Sequence, residues 1–161
     1  MKRHDDEARP SLPALLRAGR RVFGHAMRKG LMDAGHDDIP GNGLFVIGAL
    51  ARSPAPLSQI IAHLGVSKQA AGQLIDTLER RGYLQRSVDA DDRRRLRVEL
   101  SARGRAAAQI IHATAERIEA ELVQRVGSAA VVQARTTLLE LIAIGAADAD
   151  SQAPATDHDR S

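Results

Sequence analysis

Two groups of side chains in this sequence have the types and spacing to bond a nucleic acid. The first is Ser67-Lys68-Gln69, followed by Gly72-Gln73. A glutamine can bond both N6 and N7 of adenine, and a lysine donates to O6 and N7 of guanine. The glycine between them leaves no side chain to hold a duplex away. The second group is Arg93-Arg94-Arg95, with Asp89 and Asp92 just before it. Arginines on a protruding turn enter a minor groove, where the negative potential is strongest over narrow A·T-rich steps. A carboxylate such as Asp92 holds a neighbouring guanidinium in place through a charge-assisted bond. Nine arginines against four acids between Arg80 and Arg105 give that stretch +5, in a chain whose total is +3. A local basic block in a nearly neutral protein points to an anionic partner. A solvated arginine-rich face explains the charge alone equally well, so the elements that carry these residues must decide.

The pattern around the first group is helical. Ser67 has the type and place of an N-cap for a helix to about Arg81, with Ala70, Ala71, Leu74, Ile75 and Leu78 as its buried side. A short helix over Ser58–Leu64 precedes it, and Gly65-Val66 makes the turn between them. Helix, tight turn, helix is the unit whose second helix enters the major groove and meets base edges with its N-terminal residues. After Gly82 the apolar period changes to two. Tyr83–Val88 and Leu96–Leu100 read as a two-stranded hairpin with a charged tip over 89–95. Around this centre, a helix is expected from Ser11 to about Ala34, a short one from Gly43 to about Arg52, a long one from Ser101 to about Arg125, and a last one from Ser128 to about Ala147.

Composition removes several other chemistries. With no cysteine there is no disulfide, thiolate metal site or cysteine nucleophile. Phe23, Phe45 and Tyr83 are the only aromatic residues, too few for a platform that stacks single-stranded bases. Asp89, Asp91 and Asp92 do not make a calcium loop, because Arg93 and Arg94 stand where it needs an acid and a glycine. His25, His36 and His112 share no helical metal spacing, and no nucleophile–base pair stands out, so no metal, cofactor or enzyme activity is expected. The thirteen-residue uncharged run Ile39–Ala51 is short and interrupted by Pro40 and Gly41, which argues against a membrane partner. The N-terminus lacks the apolar region of a secretion signal, and the expected compartment is the cytoplasm.

Taken together, these motifs resemble those of the MarR-type winged helix-turn-helix regulators. The most specific part is Asp89-x-x-Asp92-Arg93-Arg94 leading into Leu100-Ser101-x-x-Gly104. Leu64-Gly65-Val66-Ser67 and Leu78-Glu79-Arg80-Arg81-Gly82-Tyr83-Leu84 are similar to the family's turn and to the end of its reading helix. Gln73 stands where Arg or Thr is common, and Asp91 occupies a tip position that is basic in some members.

The resemblance implies a mainly α fold with a small β-hairpin wing: a winged helix-turn-helix at about 42–100 with long dimerisation helices at about 11–34 and 101–147. Residues 1–10 are expected as a flexible arm and 148–161 as a flexible acidic tail. It further implies a cytoplasmic homodimer that binds a pseudo-palindromic operator in double-stranded DNA, acting as a repressor released by a small aromatic or anionic effector. Major-groove contacts are expected from Ser67, Lys68, Gln69, Gly72 and Gln73, and minor-groove contacts from Arg93, Arg94 and Arg95, supported by Asp89 and Asp92. An effector pocket is expected from Phe23, Met27, Leu44 and Phe45 as an apolar wall, with Arg20, His25 and His112 as polar anchors. The alternative is a winged-helix protein–protein adaptor that binds no DNA. Salt-dependent binding to duplex DNA separates the two.

Overall fold

The computed structural model describes residues 9–51, 55–56, 67–88 and 96–151. The expected first helix of the helix-turn-helix (58–64), its turn at 65–66 and the wing tip at 89–95 lie outside the described residues. So do residues 1–8 of the arm and 152–161 of the tail.

The chain forms two compact units, 1–117 and 118–161. In the first, α1 spans Leu12–Asp33, α2 Gly43–Leu50, α3 Lys68–Arg80, and α4 begins at Ala102. Helix α2 is apolar around its whole circumference, the pattern of an enclosed helix. It accordingly buries Gly43, Leu44, Val46, Ile47 and Leu50. Around it gather Leu31 of α1, Ile75 and Leu78 of α3, Tyr83, Leu84, Val98, Leu100, and Ala107, Ala108 and Ile111 of α4. Helices α1 and α4 approach closely where Gly30 stands: a Cβ there would lie 3.0 Å from the Thr114 hydroxyl and 3.3 Å from Ile110.

The hairpin is present as β2 (Leu84–Val88) and β3 (Leu96–Leu100), antiparallel, with Leu84 opposite Leu100 and Arg86 opposite Val98. One element is added to the two-stranded expectation. Ala55–Pro56 forms β1 and pairs with β3, giving a three-stranded sheet in the order β1-β3-β2. A segment as proline-rich as Ser53-Pro54-Ala55-Pro56 reads as a helix terminator. An edge strand nevertheless tolerates proline, because one side of its backbone needs no ladder partner.

Helix α3 starts and stops as its sequence directs. The Ser67 hydroxyl accepts from the Ala70 amide at 3.2 Å. At the other end Gly82 takes φ +75°, a region open to glycine, and Tyr83 N bonds back to Leu78 O at 2.9 Å. Ala71, Ile75 and Leu78 are buried and Leu74 is partly so, whereas Ala70 is exposed. The expected burial of Ala70 is thus corrected: it lies one residue before buried Ala71, about 100° round the helix, and so falls outside the core-facing stripe. The motif at the head of α4 has a similar logic. Ser101 accepts from the Gly104 amide at 3.0 Å and donates to Gly82 O, fixing α4 to the end of α3.

In the second unit α4 runs to Val126, Gly127 turns the chain with φ +84°, and α5 spans Ser128–Ser151. That is four residues into the segment read as a tail. Arg135 of α5 pairs with Glu119 of α4 at 2.7 Å. Helix α5 has no buried residue among those described, and Val132, Leu138, Leu139, Leu141, Ile142 and Ile144 are 39–68% exposed. By length and composition Ser128–Gly145 is apolar enough to cross a membrane, although it carries Arg135 and Glu140.

Candidate nucleic-acid interface

The N-terminal turns of α3 present a polar surface. Ser67, Lys68, Gln69 and Gln73 are all exposed, and a Cβ built on Gly72 would meet nothing within 4 Å. The helix backbone is therefore open to close approach along this face. On the opposite side Ala71, Ile75 and Leu78 lock α3 to the core, so the polar side chains are carried on a fixed element rather than a loop. Of the first group of residues, the structure brings all five onto one helix end. The arginines Arg93, Arg94 and Arg95, with Asp89 and Asp92, lie outside the described residues.

What joins the reading helix to the wing is Arg86, which sequence reasoning missed. It lies on β2 on the same face as buried Leu84, and so points back toward α3. Its Nη2 sits 2.6 Å from Asp76 Oδ1 and 3.1 Å from Glu79 Oε2. One strand arginine thereby bridges two acids of α3 and offsets part of their charge. The signal was present in the period-two pattern, where an arginine on the inward register needs an acid partner.

A second unforeseen cluster ties the base of the wing to the α1–α2 loop. The Tyr83 hydroxyl donates to Asp38 Oδ1 at 2.5 Å, and Arg103 Nη2 donates to the same oxygen at 3.1 Å. Arg103 also donates to Arg81 O at 2.6 Å and stacks 4.3 Å from the centre of the Tyr83 ring. Arg81 donates to Asp38 O, and His36 Nδ1 lies 3.2 Å from the Tyr83 hydroxyl. The Tyr83 bond, with Arg103 and Arg81 alongside, holds the Asp38 carboxyl below its ordinary value. Burial, and then the bond to Asp38, push the Tyr83 phenol upward.

Between α1 and the start of α2 lies an open cleft of about 590 Å3. Its walls are Arg17, Arg20, Arg21, Gly24, His25 and Arg28 of α1, with Gly41, Asn42 and Phe45 opposite. Of the expected effector residues, Arg20, His25 and Phe45 are here. Leu44 is in the core, and Phe23 and Met27 are half-buried outside the cleft. His112 is exposed on α4, 3.2 Å from Glu116. The expected apolar wall is not assembled here: Leu31 and Met27 of α1 pack on the core, whereas Leu12, Leu15 and Val22 are exposed. Arg17, Arg21 and Arg28 share one side of α1 by the helical period, and Asn42 precedes α2; none of the four was among the expected pocket residues.

Residues 37–95, which contain α2, α3 and β2, match the MarR family. No curated protein matches the sequence. The fold is that of several solved regulators. NadR, in a complex with 4-hydroxyphenylacetate, superposes with a TM-score of 0.68 at 18% identity, covering 86% of this chain and 97% of that one. The transcriptional regulator SlyA gives 0.69 at 15%, covering 86% and 96%. MepR of S. aureus, in a DNA complex, gives 0.65 at 20%, covering 84% and 98%. The family match over 37–95 and the shared fold, with an N-capped polar helix end beside a hairpin, make the chain similar to the MarR-family winged helix-turn-helix proteins.

Proposed function

We propose that the chain acts in the cytoplasm as a homodimeric repressor, not an enzyme, that grips an inverted-repeat operator and releases it on binding a small anionic effector. The observation that carries the DNA part is the exposed Lys68-Gln69 and Gln73 around open Gly72, on a helix whose other face is buried. Gln73 and Lys68 read base edges in this arrangement, and Arg93, Arg94 and Arg95 grip the backbone and minor groove of the same half-site. The DNA complex of MepR and the ligand complex of NadR support the two kinds of partner.

The dimer rests on surface chemistry. Leu12, Leu15 and Val22 of α1, and the apolar residues of α5, are too many and too exposed for a chain that works alone. A second copy of the same chain is the cover that accounts for both helices and also pairs two reading helices about one helical turn of DNA apart. It accounts for the membrane-like composition of Ser128–Gly145 as well, since an interface between subunits is apolar and tolerates Arg135 bonded to Glu119.

The deciding experiment selects bound fragments from genomic DNA and titrates them by fluorescence anisotropy at several salt concentrations. Sedimentation at micromolar protein is run alongside. The expected outcome is a dimer, one palindromic consensus, and a salt slope that falls when Arg93, Arg94 and Arg95 are replaced together by Ala. A stable monomer, or binding indifferent to sequence and salt, rules the reading out and leaves the adaptor.

A further inference from the structure

The outward face of α3 does not end at Gln73. At about 100° per residue, Gln69 lies about 40° round the helix from Gln73, Thr77 about 40° the other way, and Arg80 only about 20° away. Buried Ala71, Ile75 and Leu78 centre on the opposite side. Arg80 therefore stands in line with the reading residues, seven residues and about 10 Å farther along the axis than Gln73. A relay of hydrogen bonds sets its direction. The Thr77 hydroxyl donates to Gln73 O at 2.7 Å and accepts from Arg80 Nη2 at 3.0 Å. The guanidinium is thus drawn back along the helix and tied to the backbone of Gln73.

Nor is the charge on Arg80 met by an acid among the described residues, where its one hydrogen bond is to Thr77. The acid best placed to pair with it is Asp76, four residues earlier on the same helix. Asp76 Oδ1 is instead held by Arg86 of β2 at 2.6 Å. Glu79 is held by the same arginine at 3.1 Å, and adjacent residues on a helix do not face each other. A guanidinium carries several N–H donors, and the Thr77 bond uses one of them. The others keep the fork that matches a phosphate.

We infer that Arg80 contacts a DNA phosphate, with Thr77 as the residue that positions it and Arg86 as the residue that keeps Asp76 from capturing it. This rests on the DNA-binding part of the reading above and deepens it. A major groove is about 12 Å wide. When Gln69 and Gln73 meet base edges, a residue about 10 Å farther along the same face stands beside the strand that borders the groove. Its partner there is a phosphate rather than a base. Such a contact sets how α3 lies in the groove, and so the register at which Gln73 reads.

The test uses the full chain and the operator selected from genomic DNA, titrated by fluorescence anisotropy between about 50 and 200 mM salt. Arg80→Gln is expected to weaken binding about tenfold, equally on the operator and on operators altered one base pair at a time. It is also expected to lower the salt slope by about one unit. Arg80→Lys keeps the charge without the fork, and is expected to keep the slope and recover part of the affinity. Thr77→Val is expected to weaken binding and Thr77→Ser to restore it, because serine offers the same hydroxyl. Arg86→Gln is expected to weaken binding in the otherwise unchanged chain. It should cost clearly less in the Arg80→Gln background, where the released Asp76 has no arginine to capture. Arg80 and Arg86 are exposed, so the fold should survive, and circular dichroism checks each variant. Affinity and slope unchanged by Arg80→Gln overturn the inference, as does a loss confined to one base pair, which makes Arg80 a base reader. Additive losses from the Arg80 and Arg86 changes overturn the role given to Arg86. An unchanged chain that binds no duplex removes the DNA-binding reading itself, whereas operator binding indifferent to Arg80 removes this inference alone.

Discussion

Helices α3 and α5 differ in what their apolar residues meet among the described residues. Helix α3 buries Ala71, Ile75 and Leu78 and exposes polar residues. Helix α5 buries none of its described residues and exposes six large aliphatic ones. The first is specified by contacts that a single chain completes, and its free face is chemically prepared for a hydrated, charged partner. The second is specified by contacts that a single chain leaves open. Its free face fits only something apolar. In the proposed reading, α3 meets DNA and α5 joins two copies of the chain.

The largest expected effect falls on α5. Leu138→Glu combined with Ile142→Glu should convert the dimer to monomers, because each Leu or Ile buried in an interface contributes about 2–5 kcal/mol and the charges cannot be desolvated there. Sedimentation reads the mass, and operator affinity should fall with it. If mass and affinity are both unchanged, α5 is not the apolar interface and the contrast with α3 collapses. Next comes Ile75→Ala, which opens a cavity under the reading helix and should cost about 2–5 kcal/mol in denaturant unfolding. Unlike the α5 change, its effect should persist in a monomeric background. Gln73→Ala is smaller and more selective. It should relax preference at one position per half-site by about 1–3 kcal/mol while leaving stability and the salt slope alone, as read by anisotropy on operators altered one base at a time. The smallest effect belongs to Asp38→Asn. The folded carboxyl titrates below its ordinary value, so its bond stabilises the fold above that range and is lost as pH falls through it. The variant should therefore melt less steeply with acid below about pH 4, by a modest amount because the group is partly exposed. Melting curves that follow the same acid slope in both proteins count against the cluster.

Most of the helical frame was legible, because period and caps are local. Ser67 and Ser101 mark their helices by type alone, and Gly82 and Gly127 mark the stops. The strand β1 was not legible: its two residues gain their partners only when the distant β3 is folded beside them. On the site side, Lys68, Gln69 and Gln73 could be chosen because exposure at a helix N-terminus follows from the apolar positions behind it. Arg86 and Asp38 could not, since their roles depend on residues that the tertiary fold delivers, at separations of ten and forty-five in sequence. The cleft beside α1 fell between these cases: Arg20, His25 and Phe45 of the expected pocket line it, while Arg17, Arg21 and Arg28 reach it only through the way α1 is set against the start of α2.

The hydroxyl of Tyr83 was described above as a strut between Asp38 and the base of the wing. The chain has no tryptophan and no other tyrosine. Its near-ultraviolet absorption and emission therefore report almost entirely on one ring, bonded to one carboxylate and covered by one guanidinium. Any event that moves the α1–α2 loop against the wing will change the colour and brightness of the whole protein, with no label attached.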